Sequence, residues 1–173
     1  MKNNKRTVSK LRHYTIVEMM MVIAVFMIIL SMAMAAWLNS GDQAKLTNAA
    51  RLFANQLRQE RSVVVSTRSG GTVNIEKDSK GIAVHGSKYD KVYLPGNIQI
   101  ATKSGTNKFT VITFTSPKKI TFNPNGNCTE GDGDYCIVGE LTDSGELKND
   151  SGYYLININK FTGRITTTYH EVE

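Results

Sequence analysis

The segment RHYTIVEMMMVIAVFMIIL, residues 12–30, places one glutamate, Glu18, near the start of a long apolar run. From Met19 to Leu38 the chain has no charged residue, and Ser31 is the one polar residue there. A run of this length and hydropathy predicts a helix that spans a membrane. A charge inside a bilayer costs about 2.5–3.5 kcal/mol on insertion scales, so the position of Glu18 requires a specific reason.

The net charge of +6 over 173 residues is concentrated in front of this run. Residues 1–13 carry five Lys and Arg side chains and no acid, whereas the remainder of the chain is nearly neutral. This distribution argues against a basic nucleic-acid-binding domain. Cations before a first span favour a cytoplasmic N-terminus. We therefore expect a single-pass membrane protein whose C-terminal domain lies on the far side of the membrane from the cytoplasm.

A second helical pattern follows the apolar run. Apolar residues recur at three- and four-residue spacing, with polar residues between them, as in an amphipathic helix. Asn39, Ser40 and Gly41 form a weak point between the two patterns, and Asp42 is placed to cap the second one. The two parts could also form one helix of about 50 residues. The expected organisation is a leader over 1–13, a membrane helix over 14–41 and an amphipathic helix over 42–69. The apolar positions of the amphipathic part are Leu46, Ala49, Ala50, Phe53, Leu57 and Val64.

From residue 70 to residue 173 the sequence is typical of antiparallel strands separated by short turns. Residues 123–126 and 161–163 resemble hairpin turns. The predicted fold class is α+β, with one long N-terminal helix packed on an antiparallel sheet domain. The strand candidates are residues 72–76, 81–85, 91–94, 98–101, 109–115, 119–123, 135–141, 153–159 and 164–169.

The chain has two cysteines, Cys128 and Cys136. Under the inferred topology they lie in a compartment where disulfides form, so we expect a bridge between them. Closing so short a loop would contribute about 2–3 kcal/mol. The alternative is two unlinked thiols.

No pattern indicates an enzyme. The three histidines lack metal-ligand spacing, and no nucleophile has an evident base. The acidic turn EGDGD, residues 130–134, could hold Ca²⁺ through oxygen ligands, but it lacks EF-hand spacing and is more typical of a solvated loop. We expect neither a metal nor another cofactor.

The stretch YTIVE, residues 14–18, followed by MMMVIA, resembles the signature that opens mature type IV pilins. This resemblance implies that a prepilin peptidase cuts between His13 and Tyr14 and that Tyr14 is then N-methylated. Members of the family usually carry Gly where this chain has His13. The remainder resembles, more weakly, the H-type minor pseudopilins and T-type minor pilins, through LPGNI at 94–98, ITFNPNG at 120–126 and the strand pair over 156–165.

The resemblance implies a structural subunit of a type II secretion pseudopilus or a type IV pilus, held in the inner membrane by one span with its C-terminal domain periplasmic or extracellular. Thr15 and Glu18 belong to its assembly motif, in which the carboxylate of Glu18 meets the α-ammonium of a neighbouring subunit. The implied partners are other pilin or pseudopilin subunits, the prepilin peptidase and the inner-membrane assembly platform. The alternative for Glu18 is a side chain that extends to water at the membrane surface.

Two other functions remain open. Some T-type minor pilins bind DNA through a basic Gly-Arg-x-Arg element, and this chain has GRIT at 163–166. Lys160 and Arg164 are then the DNA-binding candidates, but several cations are needed to neutralise phosphates, so we expect a plain hairpin turn there. The second of these alternatives is a single-pass membrane protein that never polymerises.

Overall fold

The computed structural model describes residues 15–148 and 152–171, with the side chains of residues 33 and 35–40 excepted. The chain forms two compact units, with the boundary between Leu38 and Asn39. The α+β class expected from the sequence is confirmed: one N-terminal helix precedes two antiparallel sheets. Among the described residues, no helix combines the length and the hydropathy needed to cross a membrane.

Helix α1 extends from Ile16 to Thr67 over 52 residues without a break. This confirms the alternative of one long helix: Gly41 lies in its interior, and the weak point expected at residues 39–41 does not end the helix. Asp42 is therefore not a helix cap, and its carboxylate instead pairs with Lys45 one turn later, at 3.0 Å. The helix ends where Arg68 adopts a φ of 50°, the left-handed conformation typical of a helix C-terminus.

In the first unit, α1 is apolar on all sides. The side chains from Ile16 to Met32 are exposed, and the exposed fractions of the large hydrophobic ones run from 81% at Ile16 to 49% at Leu30. A soluble domain buries one stripe of each surface helix, and this segment has no such stripe. Its apolar surface is therefore available to a surrounding medium or to other molecules.

The second unit contains the C-terminal part of α1 and ten described strands. Five of the strands form sheet A, in the order β3-β2-β1-β6-β7, and five form sheet B, in the order β10-β9-β8-β4-β5. The strand bounds are β1 Gly71–Asp78, β2 Gly81–His85, β3 Val92–Tyr93, β4 Gln99–Gly105, β5 Lys108–Val111, β6 Lys118–Phe122, β7 Cys128–Glu130, β8 Gly133–Val138, β9 Tyr153–Ile158 and β10 Ile165–His170.

One large cluster of buried side chains joins α1 to both sheets. All six apolar positions predicted for the amphipathic helix are buried in it, and the ring of Phe53 contacts that of Tyr135 at 5.9 Å between centroids. A second, smaller cluster covers the other face of sheet B, where Phe109 and Tyr153 pack edge to face. Sheet B is thus apolar on both faces, and its alternate residues enter different clusters.

Glu60 is the buried ionisable residue of α1, with 2% of its surface exposed. Its Oε2 has no hydrogen-bond partner among the described residues. The carboxylate lies against Gly71, at the start of β1, and Gly86, just after β2. A Cβ on Gly71 would lie 2.5 Å from Oε1, and a Cβ on Gly86 would overlap Oε2. The missing side chains at these glycines let the ends of β1 and β2 approach the helix.

Candidate functional site

The first described turn of α1 is built by Thr15 and Glu18. The carbonyl of Thr15 accepts the hydrogen bond of the Met19 N–H at 3.2 Å, and its Oγ1 accepts that of the Glu18 N–H at 3.2 Å. Thr15 is therefore the N-cap, and Glu18 occupies the third helical position, which is the Thr-x-x-Glu pattern of a capping box. Because the Thr-x-x-Glu spacing is local, this helix cap could have been predicted from the sequence in addition to the assembly motif.

Glu18 is exposed, and the positive end of the helix dipole favours a carboxylate in the first turn. Within the described residues it forms no ion pair. It is the one charged side chain between residues 14 and 41 of the sequence. This arrangement offers a single anionic group on an apolar helix to a cation from another molecule. His13 and Tyr14, the residues predicted to flank the processing site, lie outside the described residues.

Lys160 and Arg164 lie on the same turn, between β9 and β10. Asn159 holds this turn, because its Oδ1 accepts hydrogen bonds from the N–H groups of Phe161 and Thr162, each at 3.0 Å. The two cations flank Phe161, whose side chain is 79% exposed. The two predicted residues therefore share one turn with an exposed aromatic ring, which no pattern in the sequence marks.

The turn is anchored to α1 by Arg61. Its Nε donates to the carbonyl of Gly126 at 3.1 Å, and its Nη2 donates to the carbonyl of Thr162 at 3.0 Å. Both hairpin turns predicted from the sequence are thus held by one guanidinium. At Gly163, φ is 58° and a Cβ would overlap the Gly126 carbonyl, so glycine is required at this crossing. Arg61 was missed because nothing local marks a long-range partner.

The predicted disulfide is wrong for this structure, in which Cys128 and Cys136 are free and buried. Cys128 belongs to the main cluster between helix and sheets, whereas Cys136 belongs to the cluster on the other face of sheet B. In β8, Tyr135 faces the main cluster, so its neighbour Cys136 must face away. The Cys128 thiol instead donates to the Glu130 carbonyl at 3.2 Å. Burial raises the pKa of both thiols, that of Cys136 to about 11.

The acidic turn is tied to neighbouring strands rather than arranged around a common centre. Glu130 Oε2 accepts from the Thr121 hydroxyl at 3.4 Å, and Asp134 Oδ1 accepts from the Asn157 amide at 2.7 Å. The described residues contain no group of three or more His, Cys, Asp or Glu side chains that could hold a metal ion.

No protein-family model matches the chain, and no curated protein matches it. Among solved structures, the chain is similar to the type IV minor pilin FimU of Pseudomonas aeruginosa strain PAO1. The identity is 19% and the TM-score is 0.46, over 72% of this chain and 89% of that chain. A likeness of this degree does not identify the function of the chain.

Proposed function

We propose that this chain is a minor pilin or pseudopilin, a structural subunit of a type IV pilus or type II secretion pseudopilus filament. The observation that carries the proposal is the division of one continuous helix. Its N-terminal part is apolar on all sides with one carboxylate in the first turn, and its C-terminal part is buried along one side against the sheets. Such a helix can join copies through one part and carry a folded domain on the other.

In this proposal the carboxylate of Glu18 pairs with the α-ammonium of Tyr14 on a neighbouring subunit. An unpaired charge inside an apolar bundle is costly, about 3–5 kcal/mol, so this pair would select one register between subunits. The exposure of Glu18 and its lack of an ion pair within the described residues agree with a partner outside the chain.

The proposal includes a membrane stage before assembly. The basic segment 1–13 keeps the N-terminus cytoplasmic, the uncharged run 19–38 anchors the chain in the inner membrane, and the sheet domain lies on the periplasmic or extracellular side. Prepilin peptidase then cuts after His13, and the inner-membrane assembly platform receives the mature subunit. The role is structural rather than catalytic.

Mass spectrometry of the native protein tests this proposal. We expect a mature chain that begins at Tyr14 and carries one methyl group on its α-amine. A protein that retains Met1 would favour the single-pass membrane protein that never polymerises. A chain that begins after Ala36 would contradict the proposal in another way, because a signal peptidase would then have removed the assembly helix.

DNA binding is the second candidate, and one observation favours it. Phe161 is exposed between Lys160 and Arg164, and single-stranded nucleic acid is bound by aromatic rings that stack on bases beside cations. A gel-shift assay with the full-length chain and single-stranded DNA tests it. Binding that is lost in both Phe161→Ala and Lys160→Ala, and retained in Lys80→Ala, would support a DNA-uptake role. Equal binding by all four proteins would reject it.

A further inference from the structure

A groove of about 380 Å³ opens between the two sheets, lined by residues of β2 in sheet A and of β5 in sheet B. Its volume is within the range of sites that bind ligands. The groove enters the main cluster of buried side chains, and Ile112 and Phe114 pack against that cluster while staying only half-buried. This intersheet groove therefore leaves part of the core surface uncovered. The apolar side chains that line it are Ile82, Leu94, Ile98, Val111, Ile112 and Phe114.

One wall of the intersheet groove has an open backbone edge. The N–H of Ile112 donates to the carbonyl of Ile100 in β4, and Val111 is paired with Ala101. In an antiparallel pair the hydrogen-bonding direction alternates, so the N–H and C=O of Val111 point away from β4. Phe109, two residues earlier, shows the same outward direction, because its N–H donates to the Gly145 carbonyl at 2.8 Å. No described residue forms a hydrogen bond with the outward N–H or C=O of Val111.

Two polar groups mark the intersheet groove. The side-chain oxygen of Gln99 is shielded from solvent and has no hydrogen-bond partner in the described parts of the chain. A buried amide oxygen without a partner is destabilising, and an incoming hydrogen-bond donor would satisfy it. Lys77 is the one charged side chain among the described residues that line the groove; it is exposed, and no described carboxylate pairs with it.

We propose that the intersheet groove binds an extended segment of a partner protein, which joins sheet B as an added strand beside β5. The outward backbone groups of Val111 would bond to the main chain of the segment, as in other complexes formed by strand addition. Alternate apolar side chains of the segment would cover Ile112 and Phe114, and an acidic residue would pair with Lys77. A partner that combines these features is an acidic, alternately apolar segment. This proposal does not depend on the chain being a pilin.

Fluorescence anisotropy with defined peptides tests the proposal on the full-length chain in lipid nanodiscs. The probe is a labelled, end-blocked peptide of alternating valine and threonine that carries one glutamate, made with the glutamate at either end. We expect saturable binding tighter than about 1 mM for one of the two. A version with lysine in place of glutamate should bind about two- to fivefold more weakly, as expected for an exposed ion pair. A version N-methylated on alternate backbone nitrogens should not bind.

Charge reversal on the protein supplies the matched control. Lys77→Glu should reverse the preference, so that the lysine peptide binds better than the glutamate peptide. Lys80→Glu makes the same charge change on a side chain that lies over the ring of Tyr93 and does not line the groove, so the preference should be unchanged. An equal effect of the two variants would show a general field rather than a contact at Lys77, and would overturn the proposal.

Other occupants give different results. If no peptide saturates below about 1 mM, or if the N-methylated peptide binds as well as its parent, strand addition is overturned. If the labelled peptide is displaced as the unlabelled chain is concentrated, the occupant is a second copy rather than a partner. If octanoate displaces the peptide and the N-methylated peptide binds equally, the groove is a site for small apolar molecules.

Discussion

The hydroxyl of Thr15 accepts a hydrogen bond from the backbone N–H of Glu18 at 3.2 Å, which closes the first turn of α1. The backbone N–H of Glu18 is thus part of the helix cap, and its position fits the Thr-x-x-Glu capping pattern. In the proposed function, its side chain is also one member of an ion pair between subunits. These two roles require different chemistry. A capping box accepts Glu or Gln at its third position, whereas an ion pair requires the charge. Substitution can therefore separate them.

Glu18→Gln should keep helix capping and lose filament incorporation, because the amide cannot neutralise the neighbouring α-ammonium. Glu18→Val should lose incorporation as well, while membrane insertion stays intact or improves as a charge worth about 2.5–3.5 kcal/mol is removed. The measurement is membrane fractionation together with co-purification of the other filament subunits. Normal incorporation of Glu18→Gln beside defective Glu18→Val would assign Glu18 to capping alone and contradict the proposed pairing.

The two cysteines should behave as buried free thiols. Cys128 and Cys136 point into clusters on different faces of sheet B, so oxidation cannot join them without rearranging the sheet. The native, unreduced protein should fail to react with a thiol reagent at pH 8 and should show two thiols after unfolding in urea. Fast labelling of the folded protein, or an intact mass two daltons below that of the reduced chain, would contradict this.

Cys136 should also make stability depend on alkaline pH. Burial raises its pKa from 9.0 to about 11 in the folded chain. Above pH 9 the unfolded thiol loses its proton while the folded one keeps it, so the contribution is complete below pH 9 and is lost as the pH rises toward 11. In this window the unfolding free energy should fall as the pH rises, and Cys136→Ala should make this fall less steep by up to about 1.4 kcal/mol per pH unit. An unchanged slope in urea titrations from pH 8 to pH 11 would contradict the assignment.

Much of the fold could be predicted from local patterns. Helical spacing located the buried face of α1, and alternation with turn residues located nine of the ten strands. Strand β7 was missed because Cys128, Thr129 and Glu130 are three residues between two turns, too few to show a period of two. Asp42 is not a cap because α1 continues through Gly41: a single helix-interior glycine costs only about 1 kcal/mol, which does not end a helix of 52 residues.

The site was less predictable, since it depends on distant contacts. The bond from Arg61 to Thr162 joins residues 101 positions apart, and no local spacing indicates it. The disulfide prediction was wrong for a related reason: Cys128 lies in sheet A and Cys136 in sheet B, and their side chains enter different buried clusters. Thr15 and Glu18, by contrast, act within one turn, and their capping pattern was readable from the sequence.

Gly41→Ala should stabilise α1. Gly41 is a helix-interior glycine with no atom within 4 Å of an added Cβ, so alanine gains helix propensity without a clash. The expected gain is about 0.5–1 kcal/mol. Urea unfolding followed by circular dichroism measures it. A loss of stability would show that Gly41 is kept for a conformation other than the helical one.

The contact between Glu60 and Gly86 should appear as a large coupling in a double-mutant cycle. In the native background, Gly86→Ala forces a Cβ onto Glu60 Oε2 and should destabilise the domain by about 1–3 kcal/mol, the usual cost of overpacking. In a Glu60→Ala background the space is vacated, so the same substitution should cost at least about 1 kcal/mol less.

Gly96→Ala is the matched control, since no atom lies within 4 Å of its added Cβ, and it should be nearly neutral in both backgrounds. Unfolding free energies from urea titrations of the five variants and the native chain give the coupling. Equal costs of Gly86→Ala with and without the Glu60 side chain would mean that the buried carboxylate does not lie against this glycine, and that the two ends of β1 and β2 approach α1 for another reason.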